Sequence, residues 1–233
     1  MAGYSGSRYA VIGLGQFGNA IARHLSKRGA EVLAIDNCEA HIQNIKDEVA
    51  YAVQLDATDQ KALIAQGVQD MDAVVLAIGE DFEALLLTTV YLLELKVKRV
   101  IARANGPQQR KILEQIGVEE ILSPEDEVGK SVAESLLNPN ILSFLELPDN
   151  YEIVEVLAPK GIVGRSLEDI DLRNKYKLNL VTLKREFDEK VNGSMVKAHH
   201  VLGVPSSRTI ISDTDTLVVF GLVKDIQRFC VIN

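Results

Sequence analysis

The first 145 residues alternate between short apolar runs and longer stretches with helical periodicity. The apolar runs lie at residues 9–13, 31–36, 50–55, 73–78, 99–102 and 120–122, and the helical patterns that follow them at 17–28, 40–47, 59–66, 80–95, 107–116 and 125–137. Runs that are apolar at every position are typical of strands buried on both faces, as in a parallel sheet covered by helices. The alternation therefore predicts βαβ units and a Rossmann-like, doubly wound parallel sheet.

The pattern changes near residue 150. Residues 152–157 alternate apolar and polar positions, which predicts a sheet with one solvated face. Further strands are predicted at 179–184 and 216–220, helices at 167–176 and 223–229, and a loop or irregular hairpin at 185–207, which contains Gly193, Gly203 and Pro205. Turn-forming residues at 138–140 and 148–150 bracket the change. We predict a Rossmann-like domain over residues 1–145 and a small α+β domain over 146–233.

Charge and composition narrow the classes of function. The 233 residues carry a net charge of −8 and contain no Trp, which argues against a nucleic-acid-binding surface. Cys38 and Cys230 give neither a disulfide framework nor a paired metal motif. The apolar stretch at 84–95 is shorter than the roughly 20 residues of a membrane span, and residues 1–7 lack a signal-peptide pattern. We expect a soluble, reduced, cytoplasmic protein.

The strongest local motif is Gly13-Leu14-Gly15-Gln16-Phe17-Gly18, between a predicted strand and a predicted helix. In such a loop the glycines allow a tight turn, close approach of the backbone to a phosphate, and helix–strand packing. Asp36 ends the second strand, where a carboxylate can accept hydrogen bonds from ribose hydroxyls and repel a 2′-phosphate. An alternative role for Asp36 is to cap the next helix. The motif predicts an adenine-nucleotide site that disfavours NADP.

Other candidate residues follow the remaining strands, because open α/β sheets bind ligands at the carboxyl ends of their strands. They are Asp56, Ala57 and Thr58 after the third strand, Gly79 after the fourth, Arg103 and Asn105 after the fifth, and Glu125 after the sixth. Each has a structural alternative: a helix cap by Thr58 or Asp59, a turn glycine, a surface ion pair for Arg103, and an acidic first helical turn for Glu125.

Residues for catalysis are not evident. Hydride transfer needs an acid or base and a group that orients the substrate. The four histidines, among them His24 and His41 in helical patterns, are expected to be solvated surface residues, and no common catalytic motif is present. We therefore predict that the protein is not an enzyme; a small NAD-dependent oxidoreductase is the alternative.

The order of these motifs resembles the RCK family, the regulators of K⁺ conductance. The first half matches in its glycine loop, in residues 32–36, 55–58, 74–79, 99–105, 113–117 and 121–125, and the second half, at 164–167, 171–176 and 215–221, resembles the RCK C-terminal (TrkA-C) domain. The resemblance covers nearly the whole chain and is nearest to the KtrA- and TrkA-type cytoplasmic subunits of bacterial potassium uptake systems. It implies homodimers that assemble into an octameric ring beneath a KtrB/TrkH-like membrane subunit, and nucleotide exchange that controls the pore. An RCK-type regulator of another cation channel or antiporter is a second alternative.

The resemblance also implies roles for individual residues. The expected nucleotide-binding residues are Gly13, Gly15, Gln16, Phe17, Gly18, Asp36, Asn37, Asp56, Ala57, Thr58, Ile78, Gly79, Arg103 and Asn105. Glu125 is expected near the γ-phosphate at the dimer interface, where it helps to hold a divalent cation, Mg²⁺ or Ca²⁺. The ligand is expected to be ATP or ADP, with NAD(H) or AMP possible, and cyclic di-AMP could bind the second domain near Val163, Arg173 and Pro205.

Gln16 departs from the family pattern. Similar proteins that discriminate ATP from ADP carry Arg at this position, so a charge-assisted hydrogen bond to the γ-phosphate is missing here. We expect weaker ATP/ADP discrimination.

Overall fold

The computed structural model describes residues 6–191 and 194–232, which fall into two compact units that divide between Glu127 and Val128. The sequence-based division at residue 145 counted the helix Pro124–Leu137 with the first domain. The units divide inside this helix, between Glu127 and Val128, and the chain from Ile141 onwards pairs with the second sheet. The assignment of this helix to the first domain, as the helix that the family resemblance implies crosses to the partner subunit, remains a prediction.

The first unit is a six-stranded parallel sheet with helices between successive strands. Its strands are β1 (Arg8–Ile12), β2 (Glu31–Asp36), β3 (Tyr51–Gln54), β4 (Ala73–Leu76), β5 (Val100–Arg103) and β6 (Glu120–Leu122). Its helices are α1 (Gln16–Lys27), α2 (Glu39–Ile45), α3 (Gln60–Ala65), α4 (Phe82–Glu94) and α5 (Pro107–Gln115), with a 3₁₀ turn at Val68–Asp70; α6 (Pro124–Leu137) begins here. The strand order β3-β2-β1-β4-β5-β6 is that of the Rossmann fold. The predicted fold class is confirmed.

Both faces of this sheet are buried. Ala10 and Ile12 of β1 pack in a core with residues of α3, α4 and α5, whereas Val11 between them packs in a second core with residues of α1 and α2. A strand that contributes alternate residues to two cores must be apolar throughout. This is why the parallel strands were recognisable as uninterrupted apolar runs.

The second unit is a five-stranded antiparallel sheet in the order β10-β9-β11-β8-β7. Its strands are β7 (Ile141–Leu147), β8 (Tyr151–Leu157), β9 (Asn179–Val191), β10 (Ser194–Val201) and β11 (Thr216–Leu222), and its helices after α6 are α7 (Leu167–Ile170), α8 (Leu172–Tyr176) and α9 (Val223–Ile232). Short 3₁₀ turns lie at Pro148–Asn150 and Lys160–Ile162. Val154 and Val156 of β8 are fully buried in its core with Phe229 of α9, as the alternation at residues 152–157 predicted.

Two predictions for the second unit were wrong in detail. The single helix expected at 167–176 is broken by Asp171, whose φ of 52° is left-handed and whose side chain accepts a hydrogen bond from the Asn174 amide. The segment expected to be a loop or irregular hairpin contains the regular antiparallel pair β9–β10. Gly193 of this segment lies outside the described residues. Polar cross-strand contacts, such as that between Lys197 and Glu186 at 2.5 Å, stabilise this pair of strands. Because the contacts are polar, the sequence of the segment does not show the apolar alternation by which a strand is recognised.

β7 was not predicted at all. Its residues are half-buried or exposed along its whole length, so it shows no buried apolar face. Among the described residues of both units, no helix combines the length and the apolar character that a bilayer crossing requires.

Candidate functional site

A cleft of about 900 Å³ lies at the carboxyl ends of the strands of the first unit. The strand order reverses at β1, which has β2 on one side and β4 on the other. In open α/β sheets the loops after strands at such a reversal point diverge and leave a crevice for a ligand. The fold therefore places the cleft where the sequence predicted a site.

Packing requires glycine at two positions of the loop between β1 and α1. Gly13 has a φ of +91°, and a Cβ atom there would lie 2.9 Å from the carbonyl carbon of Ala77 and from the amide nitrogen of Ile78. A Cβ atom on Gly18 would lie 1.9 Å from the carbonyl oxygen of Gly13. These two glycines let the loop, the end of β4 and α1 approach one another.

Packing does not explain why residue 15 is a glycine. Apart from Gly15 and its two chain neighbours, no described residue has an atom within 4 Å of the position that its Cβ would take, and the residue lines the cleft. It is also the N-cap residue of α1 and makes no side-chain cap, so backbone amides of the first helical turn stay available. A bare backbone at a helix start suits the close approach of a phosphate.

Asp36 connects the glycine loop to the turn after β2. Its carboxylate accepts hydrogen bonds from the amide of Leu14 at 2.5 Å and from the amide of Cys38 at 2.8 Å, and the residue is 8% exposed. Cys38, not Asp36, is the N-cap residue of α2, so the alternative that Asp36 caps this helix is wrong. Two fixed amide donors hold the carboxylate at the edge of the cleft.

His41 lines the cleft, and its side chain is 43% exposed, so it is partly solvated as expected but lies at the candidate site. Its Nδ1 atom is 3.1 Å from Oδ2 of Asp36, and the residue lines the cleft beside Cys38. A histidine in the first turn of a helix gives no sequence signal for this placement, because the direction of α2 decides whether the side chain meets Asp36.

The loop after β3 is held by an internal turn. The amide and hydroxyl of Thr58 donate to Oδ1 of Asp56 at 2.9 and 2.7 Å. These hydrogen bonds, the backbone one first, lower the pKa of Asp56 below its ordinary value. Asp59, one of the two expected caps, caps α3 by accepting from the amides of Lys61 and Ala62.

Arg103 reaches the cleft from the end of β5. Its guanidinium lies over the ring of Phe17, 5.5 Å from the ring centre, and forms an ion pair with the carboxylate of Glu125. A Cβ atom on Gly79 would lie 2.9 Å from Nη1 of Arg103. The absence of a side chain at residue 79 thus makes room for the arginine.

The structure brings nearly all the predicted site residues to this cleft. It is lined by Gly13, Gly15, Gln16, Phe17, Asp36, Asn37, Asp56, Ala57, Ile78, Gly79, Arg103, Asn105 and Glu125. Gly18 and Thr58 do not line it and act through packing and through Asp56. Sequence reasoning missed Cys38, His41, Glu80 and Asp81, which also line the cleft. The last two directly follow Gly79, so the strand-end rule could have found them.

The residues of one chain do not form a metal centre at Glu125. Within residues 6–191 and 194–232 no three His, Cys, Asp or Glu side chains are grouped so that they could hold a metal ion, and the Glu125 carboxylate is paired with Arg103. The divalent cation between two subunits therefore stays a prediction.

The candidate cyclic di-AMP residues belong to three different chain segments of the second unit. Val163 follows the 3₁₀ turn Lys160–Ile162, Arg173 lies on α8, and Pro205 follows β10. The guanidinium of Arg173 donates to the side-chain oxygen of Asn179 at 3.0 Å. Cyclic di-AMP binding also stays a prediction.

Together, a Rossmann-like unit with a glycine loop, an acidic residue ending β2 and a small antiparallel unit define an RCK-type protein. The TrkA-N domain model matches residues 9–124. The GsuK channel has this fold, with a TM-score of 0.65 and 12% identity over 98% of this chain and 40% of that chain. The GsuK RCK domain gives a TM-score of 0.52 and 22% identity, covering 96% and 45%. This chain thus spans less than half of either solved chain.

Similar proteins with established names show to which family the chain belongs. The chain is 36% identical to Ktr system potassium uptake protein C and 34% identical to Ktr system potassium uptake protein A, both from Bacillus subtilis (strain 168), over 95% of each sequence. It is 28% identical to Ktr system potassium uptake protein A of Vibrio alginolyticus over 92% of each. The chain belongs to the Ktr family of potassium uptake proteins.

Proposed function

We propose that this protein is the nucleotide-binding regulatory subunit of a potassium uptake transporter. Two features of the same cleft carry the proposal. At Gly15 no side chain covers the backbone that faces the cleft, and at the edge of the cleft two backbone amides hold the carboxylate of Asp36 in place. The first suits a phosphate and the second a ribose. The nucleotide is ATP or ADP, with NAD(H) and AMP as weaker candidates.

Control of transport follows from linkage. The subunit acts at the cytoplasmic face of the membrane and contacts a separate potassium-translocating subunit. A nucleotide shifts the equilibrium between two conformations only by the difference in its affinity for them. Exchange of one nucleotide for another changes that difference, and the membrane subunit responds. No catalytic step is required.

Homodimers that assemble into an octameric ring are part of the proposal. Val128, Val132 and Leu136 recur every four residues on α6 and are 62%, 52% and 76% exposed. An apolar stripe of this spacing on one helix face favours association with a second apolar surface. Val132→Glu should convert dimers to monomers in light scattering, whereas Ser131→Glu on the same helix should not.

The proposal is tested by binding and by transport together. The purified protein is titrated with ATP, ADP, AMP and NADH by calorimetry, and Asp36→Asn is compared with Asp47→Asn, an equal charge change at an exposed position after α2. Loss of the carboxylate should weaken binding at least tenfold, because hydrogen bonds to a charged group contribute about 1.5–3 kcal/mol. Asp47→Asn should bind as the wild type does.

Potassium uptake is then measured in cells that contain the membrane subunit. Asp36→Asn should remove the response of uptake to nucleotide, and Asp47→Asn should retain it. If the wild-type protein binds none of the four nucleotides, the proposed function is wrong.

A further inference from the structure

Arg103 is held from three sides in the cleft. Its guanidinium lies over Phe17, fits the space left by the missing side chain of Gly79, and pairs with Glu125. The arginine side chain is only 20% exposed, and its buried Nε atom finds no hydrogen-bond partner among the described residues. The exposed part of the guanidinium can bind an anionic ligand in place of its carboxylate partner.

The charge around this arginine is mostly negative. Of the described residues that line the cleft, Arg103 is the only lysine or arginine. Five carboxylates line the same cleft, those of Asp36, Asp56, Glu80, Asp81 and Glu125. A phosphate that enters therefore has one full cation to approach, and that cation already has a partner.

Glu125 differs from the carboxylates that have local backbone partners. Asp36 accepts from the amides of Leu14 and Cys38, Asp56 accepts from Thr58, and Asp81 caps α4 through the amide of Ala84. Glu125 instead uses the guanidinium of Arg103 and is 55% exposed. It can leave the arginine for water without losing a buried contact.

We propose that Glu125 is an internal competitor for the phosphate of the bound nucleotide. Its carboxylate occupies the guanidinium that the phosphate would otherwise use, so phosphate binding to Arg103 displaces Glu125. Because Glu125 is the second residue of α6, this exchange detaches the first turn of α6 from β5. This inference rests on the proposed function and adds the residue that couples phosphate binding to α6.

The test is a variant that should bind more tightly. Glu125→Gln keeps the length of the side chain and removes its charge. In EDTA, which excludes any contribution from a divalent cation, AMP and ADP should bind about fivefold more tightly to Glu125→Gln than to the wild type, the size that one partly exposed ion pair allows. Adenosine, which has no phosphate, should bind equally to both proteins.

Two further variants separate direct competition from general effects. Glu127→Gln makes the same change on the same turn of α6, at a residue that does not line the cleft, and should alter AMP affinity less than twofold. In an Arg103→Gln background, Glu125→Gln should no longer tighten AMP binding, because the guanidinium for which Glu125 and the phosphate compete has been removed. Circular dichroism and thermal unfolding establish that each variant is folded.

The outcomes are distinguishable. If the wild type binds AMP, ADP or adenosine but Glu125→Gln does not bind the phosphorylated ligands more tightly, the competition is wrong while the proposed function stands. Equal tightening by Glu127→Gln, or of adenosine, also overturns it. If the wild type binds no adenine compound, the proposed function itself fails.

Discussion

Gly15 offers a substitution that separates ligand binding from folding. Its φ of −58° and ψ of −173° are open to alanine, and no described atom lies within 4 Å of the added Cβ. Gly→Ala at a compatible position stabilises by about 0.4–1 kcal/mol through the unfolded chain. Alanine is a poorer N-cap residue than glycine by several tenths of a kcal/mol. The two effects oppose each other, so Gly15→Ala should change the free energy of unfolding by less than about 0.5 kcal/mol.

The same Cβ atom should weaken nucleotide binding strongly. It covers backbone that a phosphate must contact directly, and the loss of one amide–phosphate hydrogen bond costs about 1.5–3 kcal/mol. Since 1.4 kcal/mol is a factor of ten in Kd, the affinity for the bound nucleotide should fall by about 10- to 100-fold.

Gly18 provides the matched control on the same loop. Its Cβ would meet the carbonyl oxygen of Gly13 at 1.9 Å, so backbone must move, at a cost of about 3 kcal/mol or more. Urea unfolding and calorimetric titration of both variants give four numbers. Gly15→Ala should lose binding with normal stability, and Gly18→Ala should lose stability. Wild-type nucleotide affinity in a folded Gly15→Ala protein would refute a direct backbone–phosphate contact.

Two further predictions concern the second unit. Asp215 is fully buried and accepts two hydrogen bonds from Arg185, at 2.7 and 2.6 Å. Asp215→Asn should therefore lower the free energy of unfolding, measured in urea, by about 3–5 kcal/mol. A loss under about 1 kcal/mol would mean that this ion pair does not stabilise the fold. Burial, and then the charge of the cross-strand Glu146, raise the pKa of Glu152. Because the folded state binds the proton more tightly than the unfolded state, stability should fall as pH rises from 4.5 through the folded-state pKa. Glu152→Gln should remove this fall and stabilise the protein at pH 7 by up to about 1 kcal/mol. If the stability of the wild type instead rises with pH above 4.5, the pKa of Glu152 is not raised in the folded state.

The elements with a strong local signal could be predicted from the sequence. The parallel strands are apolar on both faces, so their positions appear as uninterrupted runs, as at residues 73–78. The second unit gave weaker signals. β7 has no buried residue, and β10 has charged or polar residues on both faces, so neither carries a period-two apolar pattern.

The chain by itself determined which residues end the strands, and through the strand-end rule most of the residues that line the cleft. Only the tertiary structure decided how they pair. Asp36 receives the amide of Leu14 from 22 residues away, and Arg103 meets Glu125 across the loops after β5 and β6. Such contacts depend on strand order and on the direction of each helix, which the local sequence does not encode. For that reason the position of His41 and the pairing of Arg103 with Glu125 could be recognised only in the folded chain.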